Sequence, residues 1–247
     1  MKLNEMIEAG TITADKAKMG YVGAFTYAEV ISGLTSFYLG AKYVCPSVKM
    51  DVQFTGEWYD ENKEKAAALA LMDAGCVLIS QHADSMGAPS ACEDRNVPNV
   101  SYNGSTEAAC PNTFIVSSKI DWTPYVKYIC ESTMNGTEIK ADWCGDTKTG
   151  SVKLSDLGKK AATAGTQAKI DEVKALLESG KLHVFDTATF TVDGKTLTTY
   201  LADVDDMGDY VKETEAIKDG YFHESEYRSA PYFDLRIDGI TFLNEKY

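Results

Sequence analysis

The stretch YVGAFTYAEVISGLTSFYLGAKYV, residues 21 to 44, decides how the rest of the chain is read. It begins as a buried strand and turns at once into a helix. Val30, Leu34, Phe37 and Ala41 fall on one face of that helix, at the 3.6-residue period. Between strand and helix sits Gly23-Ala24-Phe25-Thr26-Tyr27, which carries neither a phosphate-binding fingerprint nor a nucleophile. A large aromatic therefore stands at the mouth of a strand-to-helix turn where no chemistry is signalled.

The same unit recurs downstream. MDVQFTG reads as a second strand and leads through Trp58-Tyr59 into the helix DENKEKAAALALMDAG, started by Asp60 and ended by Gly75. CVLIS reads as a third strand, the middle of QHADSMGAPSACEDRNV as a helix, and NVSYN and TFIVSS as further strands. Strands alternating with helices at this spacing mean βαβ crossovers, so the expected fold is α/β with a doubly wound parallel sheet.

After Trp122 the alternation weakens. TPYVKYICESTMNG is a helix with Pro124 in its first turn and Gly136 past its end. TGSVKLSDL reads as a strand, AKIDEVKALLESG as a helix stopped by Gly180, and HVFDTATFTVDGKTLTTYL as a hairpin around Asp193-Gly194. From about residue 205 the tail is aromatic and acidic, and reads as a segment wrapped on the domain.

Composition removes several classes of function. A net charge of −13 argues against a nucleic-acid backbone as partner. No stretch approaches the roughly 20 apolar residues that cross a bilayer. MKLNEMIEAG is an amphipathic helix pattern and not a signal peptide, so the sequence as written reads as cytoplasmic or as lacking its beginning. Cysteines at 45, 76, 92, 110, 130 and 144 form no CxxC pair, a spacing poor for zinc. Cys76 reads as core packing, and a Cys92–Cys110 disulfide stays open.

In open parallel sheets the ligand site lies beyond the carboxyl ends of the strands. Those ends here carry Phe25-Thr26-Tyr27, Glu57-Trp58-Tyr59, His82 to Ser85, Asn103-Gly104-Ser105 and Lys119 to Trp122. Flat aromatic faces beside the acceptors Asp84, Asn103 and Asp121 suit a planar, polar-edged small molecule such as a nucleobase or nucleoside. Plainer roles exist for each: Phe25 and Trp58 as caps on the core, Asn103-Gly104 as a turn. The pair His82 and Asp84 has the form of a metal ligand set or a general base, but His183 and His223 lack ligand-like spacing, so no metal or cofactor is expected.

These residues resemble the BMP (basic membrane protein) family of ABC-transporter substrate-binding lipoproteins, which includes purine-nucleoside receptors. The resemblance runs from KMGYVGAFTYAEV through QHADS, and continues in NVSYNGS, FIVSSKIDWTPYVKYICESTMNGT and GKLHVF, over roughly residues 1 to 200. It implies a type I periplasmic-binding-protein-like fold, no catalysis, a nucleoside or nucleobase ligand and an ABC permease as partner. Phe25, Trp58, His82 and Asp84 match the family's GAF, WYD and QHxDS signatures. Asn103 matches a position where the family often has Asp holding ribose hydroxyls, and Ile120 one where members have Lys or Trp. Asp121 and Trp122 match the end of a WNW pattern, with Asp for Asn. The ligand-binding set so implied is Phe25, Thr26, Trp58, His82, Asp84, Asn103, Ile120, Asp121 and Trp122.

Family members have a further βα-rich half-lobe, an export signal and a lipidated cysteine ahead of the segment matching MKLNEM. The resemblance thus implies an extracytoplasmic, membrane-anchored lipoprotein in the full-length form. Residues 1–17 and 123–144 would be remnants of the N-terminal lobe, 18–122 and 145–204 the C-terminal α/β lobe, and 205–247 a tail packed on it. The apolar faces Leu3-Met6-Ile7 and Val126-Ile129-Cys130 would then lack partners, which points to a homo-oligomer through unpaired helices. A truncated or cytoplasmic sensor that self-associates is the alternative, and a small-molecule hydrolase using His82, Asp84 or a cysteine the less favoured one.

Overall fold

A computed structural model describes residues 1–205, 208 and 210–245. The positions of the tail at 206, 207, 209, 246 and 247 lie outside the described residues. The strands of the main sheet are β1 (Lys18–Gly23), β2 (Lys49–Phe54), β3 (Leu78–Gln81), β4 (Asn99–Tyr102), β5 (Phe114–Ile120) and β6 (Val152–Leu154). With a last strand from the tail, β11 (Ile240–Phe242), they make a seven-stranded sheet in the order β11-β2-β1-β3-β4-β5-β6. All neighbours run parallel except β6, which pairs antiparallel with β5. The small strands β7 (Leu201–Ala202), β8 (Thr214–Glu215), β9 (Ile217–Lys218) and β10 (Tyr221–Phe222) form two antiparallel pairs elsewhere in the chain's last third.

The helices are α1 (Lys2–Glu8), α2 (Ala28–Val44), α3 (Glu61–Asp73), α4 (Gly87–Arg95), α5 (Thr123–Asn135) and α6 (Thr166–Glu178). β1 is central and buried on both sides, which is why it reads as an unbroken apolar run. Its Gly20 lets α3 approach closely: a Cβ there would stand 2.7 Å from Ile79 Cδ1 and 3.0 Å from Leu71 Cβ. α3 begins where its sequence signals it, with the Asp60 carboxylate accepting the N–H groups of Asn62 and Lys63.

Three expectations need correction. α1 does not lack a partner: Leu3 is buried in the main core, Met6 and Ile7 pack against it, and Asn4 Nδ2 donates to Val44 O at 2.7 Å. The hairpin at 183–201 is only a turn. Asp193 and Gly194 take φ of 50° and 73°, and Val192 and Lys195 exchange backbone hydrogen bonds, but no ladder extends beyond them. Asp238 accepts from Thr191 Oγ1 and from the Gly194 N–H, so the flanking chain is pinned to the tail.

The third correction concerns α2, which is buried on more than one face. Val30 and Leu34 are buried as expected, and so are Ile31, Thr35 and Tyr38. The additional cover comes from an aromatic cluster of the chain's last third, in which Phe185 stacks on Phe233 at 4.1 Å between centroids and Phe222 meets Phe233 edge-on at 4.9 Å. Lys42 Nζ donates to Thr189 O at 2.9 Å, and Ser32 Oγ donates to Glu224 Oε1.

Candidate functional site

The carboxyl ends of β1 to β4 bring a row of rings together. Tyr27 stacks on Phe25 at 5.2 Å, Phe25 meets Trp58 at 5.0 Å, Trp58 meets His82 at 5.9 Å, and His82 stacks on Tyr102 at 5.4 Å. Phe25 and Tyr27 come from the turn after β1, and Trp58, His82 and Tyr102 from the ends of β2, β3 and β4 or the turns after them, so the parallel sheet itself sets the spacing. Trp58 and Tyr27 are exposed, and His82 is largely buried. Thr26, in the turn between them, is half-buried.

Polar groups stand at the ends of β3 and β4. Asn103 takes a left-handed φ of 62°, and its Nδ2 donates to Asp84 Oδ2 at 3.5 Å. Its Oδ1 accepts the Ile120 N–H at 3.4 Å. Both bonds are long, so the pair keeps capacity for a guest: a carboxylate that accepts and an amide that donates. His82 Nε2 lies 3.9 Å from Glu29 Oε1. Burial pushes the His82 imidazole below its ordinary range and the Glu29 carboxylate only partly opposes this, so the ring is held neutral at pH 7.

A second aromatic group lies past β5, where Trp122 meets Tyr125 at 6.2 Å and Tyr125 meets Trp143 at 5.3 Å. Asp121 beside them accepts Lys153 Nζ at 2.6 Å and the Thr123 N–H at 2.9 Å, and these bonds hold its carboxyl far below the usual carboxylate range. Asp121 is thus engaged by its own chain.

Between the two groups opens a cavity of 1270 Å³ that runs along one face of the sheet beside α2. His82, Ile120, Asp121 and Trp122 line it. Ser32, Gly33, Ser36 and Gly40 of α2 make its wall low. Phe25, Thr26, Trp58, Asp84 and Asn103 are not part of its lining; they flank it at the sheet's carboxyl edge. Sequence reasoning passed over Tyr102, Glu29, Lys153 and Trp143. Tyr102 is the one whose signal was legible, as the last residue of a strand directly before Asn103.

The thiols at Cys92 and Cys110 are buried and unbonded to each other. Burial pushes Cys92 up to about 12, which leaves no thiolate nucleophile at neutral pH. Among the described residues no group of three His, Cys, Asp or Glu side chains is placed to hold a metal ion, and no helix is long and apolar enough to cross a membrane.

A family model described as an ABC transporter substrate-binding protein, PnrA-like, matches residues 9–183. A purine-binding protein of Brucella abortus (strain 2308) is 31% identical over 189 residues, covering 75% of this chain and 53% of that protein. A Haloferax volcanii protein named as an ABC transporter glucose-binding protein is 32% identical over 152 residues, covering 61% of this chain and 39% of that protein. A solved ABC transporter solute-binding protein from Conexibacter woesei DSM 14684 superposes with a TM-score of 0.58 at 25% identity, covering 68% of this chain and 56% of that one. The chain spans about half the length, or less, of the curated relatives it matches. Its mostly parallel sheet is part of a type I periplasmic-binding-protein fold. The match over most of its length places the chain in the Bmp family of ABC transporter substrate-binding proteins, a family of solute binders and not of enzymes.

Proposed function

We propose that this chain supplies one face of a cleft that grips a planar heterocycle, a purine base or nucleoside, for delivery to an ABC permease without transforming it. The observation that carries this reading is the ring row Tyr27–Phe25–Trp58–His82–Tyr102 with the Asp84–Asn103 pair beside it. Rings give flat apolar contact, and the pair offers one acceptor and one donor to a polar ring edge. The name of the Brucella relative, a purine-binding protein, points to the same ligand class. Residues 1–17 and 123–144 would be remnants of a second lobe, with ligand held between the lobes and closure signalling to the permease. In the full-length form an export signal and lipid anchor would hold the receptor outside the cytoplasm.

One face of a cleft binds weakly. Stacking of a base on an aromatic side chain is worth about 1–3 kcal/mol, and a Kd on the order of 1 mM corresponds to about −4 kcal/mol. Saturation-transfer NMR with adenine, adenosine and glucose at millimolar concentration is expected to show the purines, with Trp58→Ala weakening them about tenfold or more. A glucose signal without a purine signal would replace the ligand class with sugars. Micromolar adenosine binding by the monomeric chain would remove the need for a second lobe.

A further inference from the structure

Beneath the rings runs a relay of buried polar side chains that touches the ligand-facing loops after β2, β3 and β4. Gln81, the last residue of β3, uses both protons of its carboxamide on the next loop, donating to Ala83 O at 3.0 Å and Ser85 O at 3.2 Å. Its Oε1 accepts from Asn99 Nδ2 at 3.3 Å. Asn99 Oδ1 accepts from Ser101 Oγ at 2.6 Å, and Ser101 shares a hydrogen bond of 2.9 Å with Thr106. On the other side Ser85 Oγ donates to Glu64 Oε2, while Glu64 Oε1 accepts the Asp60 N–H at 2.9 Å. Gln81, Ser85, Glu64, Asn99 and Ser101 are all at most 4% exposed. The relay begins at the Trp58-bearing loop, passes under His82 and Asp84, and ends in the loop that follows Asn103.

We propose that Gln81 is a positioning residue of the cleft, shaping the His82–Ser85 loop through its two donors so that the His82 ring and the Asp84 carboxylate meet Trp58, Tyr102 and Asn103. A carboxamide with both protons spent on carbonyls two and four residues ahead fixes the curve of that loop as a bracket would. The alternation of the strand places the Gln81 side chain inside and leaves His82, one residue on, for the site. Among the described residues none of the relay's buried polar side-chain atoms lacks a partner, and fully satisfied buried networks hold one geometry. Nothing in this depends on which guest the cleft accepts, so failure of purine binding leaves it standing.

The chain has three histidines, which makes the test direct. His183 and His223 both stack on Tyr221, at 3.7 and 3.8 Å, and serve as internal controls. In proton NMR the His82 ring signals are expected to be displaced by Trp58 and Tyr102, whose rings lie 5.9 and 5.4 Å away. Gln81→Met keeps length and removes the donors; Gln81→Glu keeps an acceptor and leaves at most one donor where the carboxamide has two. In both, the His82 signals are expected to move toward those of free histidine and its titration to rise toward the ordinary value, with His183 and His223 unmoved. His82 signals unchanged in a folded variant, or equal movement of all three histidines, overturn the proposal. The unsubstituted protein gives a reading that needs no variant to fold: slow solvent exchange of both Gln81 carboxamide protons is expected, and exchange as fast as that of surface amides overturns it.

Discussion

Glu224 is a carboxylic acid that the tail presses against α2, where Ser32 Oγ donates to it. Burial raises it to about 7, and the Ser32 bond opposes this only in part. Folded Glu224 therefore holds its proton more tightly than the unfolded chain does. Its contribution to stability is complete below the ordinary carboxylate range and is lost as pH rises through about 7. Glu224→Gln removes that dependence, so the urea midpoint of the variant should fall less between pH 5 and pH 8 than that of the parent. The difference at pH 8 is on the order of 2–3 kcal/mol in favour of the variant. Parallel pH profiles for the two proteins would show that Glu224 is solvated. Nothing local in HESEY signals this burial, because the partner at Ser32 lies 192 residues away. Asp60 is the opposite case: its cap was legible because every atom it satisfies lies within three residues.

At the level of elements, what could be read from the sequence was what repeats locally. β1 and β3 announce themselves because both faces are covered, and β2 because its buried residues alternate; α3 and α5 announce their ends through Asp60, Pro124, Gly75 and Gly136. β11 gave no such signal. It is three residues long, and it exists because β2 offers it a parallel edge after the chain has crossed α2. That crossing is made at Gly239, whose φ of 94° is left-handed and whose Cβ, if present, would stand 2.0 Å from the Tyr38 hydroxyl. Tyr38 is buried and cannot step aside without emptying its own place. Gly239→Ala therefore carries a backbone cost of about 1–2 kcal/mol and a repacking cost of similar size. A melting temperature lower by about 4–16 °C is expected. A change of less than about 1 °C would mean that β11 docks without this constraint.

For the molecule as a whole, charge and exposed apolar surface pull in opposite directions. The resemblance predicted two unpartnered helices, and the structure separates them: α1 is docked, while on and beside α5 Trp122 is 64%, Val126 54% and Met134 84% exposed. Such a patch favours association between copies, and a net charge of −13 on each copy opposes it. The balance turns on screening, since the Debye length falls from about 30 Å at 0.01 M salt to about 3 Å at 1 M. Sedimentation velocity should thus show a monomer at low salt and a growing dimer fraction as salt rises. Val126→Glu combined with Met134→Lys leaves the net charge unchanged and removes the apolar face, so the double variant should stay monomeric at every salt concentration. If parent and double variant sediment alike throughout, α5 is not the contact, and the exposed face is inert under these conditions. If the parent associates most at low salt, where repulsion is strongest, the contact is electrostatic and lies elsewhere on the surface. The expected order, association that rises with salt and vanishes with two apolar side chains, is the one that ties the behaviour of the assembled chain to α5.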